Sequence, residues 1–174
     1  AELALLRLGA RPFHVIVPTP RQTAPVPIRS TGASVALQDL APALAALAGC
    51  VFVADCTLEG LMHAAELPAI LKGGARVLYI SNEHPDVLER LAPSPDDEKQ
   101  VRAGMRLMRE AKRMNVTSPA GTRLDIRIEG ARVGGVWGYT EKPGTLSHWP
   151  GGLCLGFPKA GSVNGTLVNG ELIT

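Results

Sequence analysis

His148 is the residue of this chain best placed to do chemistry. It stands in Gly138-Tyr139-Thr140-Glu141-Lys142-Pro143-Gly144-Thr145-Leu146-Ser147-His148-Trp149-Pro150-Gly151-Gly152. A loop that carries this much aromatic surface is anchored by packing or lines a pocket. A neutral imidazole can take or give a proton near neutral pH, and Tyr139 and Trp149 would wall the space around it. The competing reading is an ordinary packed loop histidine. There are 4 histidines in all. His63, beside Met62, falls near the start of a helix that follows a strand. Ligands of open α/β sheets bind there, outside the carboxyl ends of the strands. His14 lies within an apolar run and reads as structural. His84 precedes Pro85 and reads as a cap or a solvent-facing residue. No HExxH, HxH or CxxC occurs, so no metal site is complete, and no GxSxG elbow is present. Ser162 reads as a turn residue. The 3 cysteines, Cys50, Cys56 and Cys154, are scattered, which fits free thiols in a reducing compartment, the cytoplasm. Cys50 and Cys56 read as small buried hydrophobes.

Elements must position these groups. Phe13-His14-Val15-Ile16-Val17 reads as a strand. Pro18 to Ser30, with its prolines, reads as an extended loop. A helix capped by Ser34 would run to about Ala48 and stop at Gly49. Val51 to Asp55 is an apolar strand that stops at an acid. Glu59 to Lys72 reads as a helix that ends at Gly73-Gly74, and Arg76 to Ile80 as a third strand. This alternation predicts a Rossmann-like parallel three-layer α/β unit over 1–114. No GxGxxG follows a strand, which sets nucleotide cofactors aside. Pro85 suits the first turn of one helix. Pro95-Asp96-Asp97-Glu98 opens another, with acids at the positive end of its dipole and Arg109, Lys112 and Arg113 at the other end. These charges read as a solvated helix face. From 115 to 174 short strands and closely spaced glycines predict a β-rich second domain. Its open edges mark it as incomplete.

The chain has 174 residues, of which 45% are hydrophobic and 20% charged, with a net charge of +2. That composition is globular. The charge is too small to argue for nucleic acid, and no apolar run is long enough to span a membrane as a helix. The chain begins Ala1-Glu2-Leu3-Ala4-Leu5-Leu6-Arg7-Leu8-Gly9, which reads as the last turns of a helix at its glycine stop. It ends after a strand-like segment and an Asn169-Gly170 turn. A piece of a longer protein is the expectation.

Three strings together carry a resemblance. They are Ser118-Pro119-Ala120-Gly121-Thr122-Arg123-Leu124-Asp125, then Trp137-Gly138-Tyr139 with Pro143-Gly144 and His148-Trp149-Pro150-Gly151-Gly152, then Phe157-Pro158 with Gly161-Ser162-Val163-Asn164-Gly165-Thr166. The whole resembles the 2,5-dihydroxypyridine 5,6-dioxygenase family, which is similar to the metallo-aminopeptidases of the aminopeptidase T group. Asp55 to His63 and Glu83 to Leu88 fit the same N-terminal region.

The resemblance implies a non-haem Fe(II) enzyme that opens a hydroxylated pyridine ring with O2. Its metal is held by two histidines and an aspartate. Those ligands belong to the C-terminal half of the family's chain and have no counterpart in 1–174. The resemblance maps pocket positions to His148 and His63 as catalytic residues. It makes Met62, Tyr139 and Trp149 substrate-binding, with two imidazoles walling one ring-binding cavity. The peptidase relatives place a metal-binding glutamate where this chain has Gly152-Leu153, which argues against their dinuclear site. The dioxygenase carries an acid shortly before its Gly-Tyr, where Val136-Trp137 stands here. A related aromatic or heterocyclic substrate is therefore expected. A homo-oligomer is also expected. Two other readings stay open: an aminopeptidase-like hydrolase using zinc or cobalt, and a scaffold or dimerisation fragment without activity of its own.

Overall fold

The computed structural model describes residues 2–17, 35–57, 61–81 and 84–168. The chain is mixed α/β and divides into two compact units. One is Ala1–Asn82 with Thr140–Leu146, the other Glu83–Tyr139 with Ser147–Thr174. Residue 115, where the sequence changes texture, falls inside the second unit's first strand.

The first unit holds α1 (Glu2–Arg7), α2 (Ala41–Ala48), β1 (Phe52–Asp55), a single 3-10 turn at Leu61–His63, α3 (Leu67–Lys72) and β2 (Arg76–Ile80). Two helices start later than expected, and proline is the cause. Pro42 and Pro68 each occupy the first turn of their helix, where a missing N–H costs nothing and the ring clashes with no preceding turn. Val35–Asp39 instead forms a tight turn, with Asp39 at φ 60. β1 and β2 pair in parallel, Val53 opposite Val77 and Asp55 opposite Tyr79. Alternate residues point inward, so Val53, Val77, Leu37, Leu47, Leu67 and Ile70 share one core. Ile70 at 1% and Leu37 at 2% exposure each contribute about 1.5–3 kcal/mol by leaving water. Gly73 lets α3 approach α2, because a Cβ there would lie 2.5 Å from the Ala48 carbonyl oxygen.

Residues 13–17 form no strand. Phe13 and Ile16 are exposed, and only Val17 reaches the core. The third place in the sheet, ordered β1-β2-β6, belongs to β6 (Leu146–Trp149). The Val77 N–H donates to the Thr145 carbonyl at 2.9 Å, and Leu146 packs on the core. The segment read as a loop is therefore a strand. A strand forms where a neighbour offers unpaired backbone groups, which composition does not reveal.

The second unit holds α4 (Pro85–Arg90), α5 (Pro95–Glu110), β3 (Arg113–Thr117), β4 (Arg123–Arg127), β5 (Arg132–Val136), β7 (Leu153–Phe157) and β8 (Val163–Thr166). At the start of α5, Asp97 Oδ2 accepts the Ser94 N–H at 2.6 Å, which satisfies a donor just before the helix. Strands β3, β4 and β8 make an antiparallel sheet, and β5 pairs antiparallel with β7. α5 rests on β5 and β7 through small residues. A Cβ at Gly135 would lie 2.4 Å from Val101 Cγ1, and one at Gly156 2.6 Å from Met108 Cε.

Cys50 is half-buried and Cys56 exposed, rather than both buried; these two and Cys154 are free thiols. The loop at 18–30, the Ser34 cap, Glu59, the start of the Asn82-Glu83 turn and Asn169-Gly170 lie outside the described residues. Among the described residues no helix is long and apolar enough to cross a membrane.

Candidate functional site

At the carboxyl end of β1 the chain turns around one carboxylate. Asp55 is 3% exposed. Its Oδ1 accepts the Thr57 N–H at 3.1 Å and the Thr57 hydroxyl at 2.7 Å, and its Oδ2 accepts the Leu61 N–H at 2.5 Å. Leu61 opens the 3-10 turn that carries Met62 and His63. The strand-ending acid therefore fixes the segment that presents these two side chains, Met62 half-buried and His63 exposed. Beside it, partial withdrawal from water and then the Asp55 charge push the Cys56 thiol pKa up.

In the second unit two segments meet backbone to backbone. A Cβ at Gly151 would lie 2.1 Å from the Gly138 nitrogen, and Gly138 itself has φ +92. Only glycine fits both positions. This contact brings Tyr139, which follows Gly138, towards the segment His148-Trp149-Pro150. The Trp149–Pro150 peptide is cis. Trp149 Nε1 donates to the Leu91 carbonyl at 2.8 Å, which fixes the indole.

His148 is half-buried on β6, and its Nδ1 lies 2.7 Å from the Pro150 carbonyl oxygen. A carbonyl oxygen only accepts, so Nδ1 carries the hydrogen. In the neutral ring the lone pair is then on Nε2.

Tyr139 belongs to a group that reading by spacing missed. Its hydroxyl donates to Glu98 Oε2 at 2.9 Å. Glu98 Oε1 takes the Arg102 guanidinium, with Nε at 2.7 Å. Arg102 lies over the Trp137 ring at 4.8 Å, and Trp137 meets Tyr139 edge-on at 6.5 Å between centroids. Glu98 and Arg102 are one turn apart on α5. That spacing looks like a surface pair until Tyr139 and Trp137 are folded against it.

Of the other histidines, His14 is exposed with Nε2 3.5 Å from Glu2 Oε2, not a core strand residue. His84 caps α4, where its Nδ1 accepts the Asp86 N–H at 3.3 Å. A hollow of about 230 Å³ is lined by Asp97, Gln100, Val101, Gly152 and Cys154. An open concavity of about 360 Å³ crosses β3, β4 and β8. Neither includes His63 or His148.

The family model for 2,5-dihydroxypyridine 5,6-dioxygenase (NicX) matches residues 1–171. The chain belongs to this family. A 2,5-dihydroxypyridine 5,6-dioxygenase of Pseudomonas putida KT2440 is 36% identical over 108 residues, 62% of this chain and 31% of the relative. The solved structure of 2,5-dihydroxypyridine dioxygenase from the same organism superposes with a TM-score of 0.75 at 31% identity, over 95% of this chain and 47% of that one. The chain thus spans about half the length of the solved relative and less of the curated one. Among the described residues no three His, Cys, Asp or Glu side chains gather into a group that could hold a metal ion. The described residues do not by themselves fit an iron site.

Proposed function

We propose that this chain is the N-terminal part of a non-haem Fe(II) dioxygenase that opens the ring of a hydroxylated pyridine or similar heterocycle with O2. The metal ligands are supplied from outside these residues. Family membership supports the reaction class. The observation that carries the role of this chain is the Nδ1–H to Pro150 bond, which makes Nε2 the basic nitrogen of the neutral His148 ring. A ring hydroxyl is a donor, and moving its proton towards Nε2 enriches the ring in electrons, which favours attack on O2. His148 is the acid/base residue in this reading. His63 and Met62 orient substrate or oxygen, and Tyr139 and Trp149 provide aromatic wall. The resemblance implies an acid shortly before the Gly-Tyr, where this chain has Val136-Trp137, and the Trp137 ring is engaged by Arg102. A heterocycle related to dihydroxypyridine is therefore the proposed substrate. The free cysteines suit a cytoplasmic, reducing setting, and the proposed assembly is a homo-oligomer.

The test is O2 uptake by the complete protein, loaded with Fe(II), on 2,5-dihydroxypyridine and its mono-hydroxy analogues. His148→Ala should lower kcat about 100-fold, the usual loss when a positioned acid/base is removed. Unchanged turnover sinks the assignment. Two zinc or cobalt ions per subunit, with hydrolysis of a leucine amide, would replace the reading by a hydrolase. Inactivity with every metal would leave a scaffold.

A further inference from the structure

Tyr139, Glu98, Arg102 and Trp137 close on one another in a ring of four contacts. They are the phenol to carboxylate bond at 2.9 Å, the carboxylate to guanidinium bond at 2.7 Å, the guanidinium over the indole at 4.8 Å, and the indole edge-on to the phenol at 6.5 Å. Each member has two neighbours in the ring, so the Tyr139 side chain is held at both its hydroxyl and its ring. The hydrogen bond to an ionised carboxylate is charge-assisted, and the cation over the indole adds to the hold. The Tyr139 hydrogen is directed to Glu98, which makes the phenol a poor donor towards anything else.

We infer that Glu98 is a positioning residue, which acts through Tyr139 to set the wall against which the substrate ring lies. The inference rests on the proposed dioxygenase reading. In that arrangement Tyr139 contributes ring surface and shape rather than a proton, and proton transfer is left to His148. Arg102 neutralises the carboxylate and holds it in place from the next turn of α5. Trp137, the residue after β5, closes the circuit. Glu98 therefore affects how well substrate is held and oriented, and it touches neither the substrate nor the reacting atoms.

The experiment uses the complete protein and separates KM from kcat. Glu98→Ala should raise KM for the hydroxylated pyridine that the wild-type protein turns over best about tenfold, the worth of one charge-assisted hydrogen bond, with kcat within about twofold. Tyr139→Phe should do the same, and the double variant should be no worse than either single one, because both remove the same contact. Glu98→Gln keeps an acceptor oxygen for the phenol and should recover most of the wild-type KM. The near-UV circular dichroism of the Trp137–Tyr139 pair, read without substrate, should fall in Glu98→Ala and return in Glu98→Gln. A wild-type KM in Glu98→Ala, a loss confined to kcat, or additive effects in the double variant would each overturn the inference. A wild-type protein that neither binds nor turns over any of the hydroxylated pyridines removes the underlying reading instead.

Discussion

Removing the Asp55 carboxylate should loosen the whole carboxyl end of β1. Three donors converge on it: the Thr57 N–H, the Thr57 hydroxyl and the Leu61 N–H. In Asp55→Ala the buried Leu61 N–H loses its acceptor and bears a desolvation cost of about 1–3 kcal/mol. The two Thr57 groups are part-buried and can turn to water, so each costs about 0.5–1 kcal/mol. The expected loss is roughly 3 kcal/mol, which is about a hundredfold in the opening equilibrium of this segment. Asp55→Asn keeps one acceptor oxygen and should cost about half as much. Urea unfolding followed by far-UV circular dichroism measures the total. Hydrogen exchange at the Leu61 amide measures it where it arises. A midpoint worth less than about 0.5 kcal/mol of change, with Leu61 still protected, would refute the claim that this carboxylate organises the turn bearing Met62 and His63.

Two further outcomes follow from the same geometry. The Cys56 thiol is pushed up by partial burial first and by Asp55 second, so its iodoacetamide labelling should rise at a higher pH than an ordinary thiol. Asp55→Asn removes only the smaller cause and should bring the profile part of the way down; a profile like that of a free thiol in the unmutated chain would contradict the shift. Gly151→Ala would place a Cβ 2.1 Å from the Gly138 nitrogen and should cost about 2–3 kcal/mol or more through backbone displacement, read as a fall in melting temperature. An unchanged melt would mean that the two glycine segments are not in contact.

Much of the fold was legible in the residues. The apolar runs in Val51–Asp55 and Arg76–Ile80 carry β1 and β2, and Pro85 and Pro95 mark the starts of α4 and α5. Apolar spacing alone places the starts of α2 and α3 too early, because Pro42 and Pro68 set where these helices begin. Phe13–Val17 has strand composition but no strand, while Leu146–Trp149 has loop composition but forms β6 beside β2.

By itself the sequence determined the mixed α/β character, the glycines and prolines that set turns and helix starts, and the strings that place the chain in its family. All of these depend on near neighbours or on residue identity. The tertiary structure alone decided which nitrogen of His148 bears the hydrogen, because a carbonyl had to be brought to Nδ1. It alone joined Glu98 to Tyr139 across 41 positions, and turned an acid at a strand end into the holder of the 3-10 turn. Hydrogen-bond partners distant in the chain are chosen by packing, and residue spacing carries no record of them.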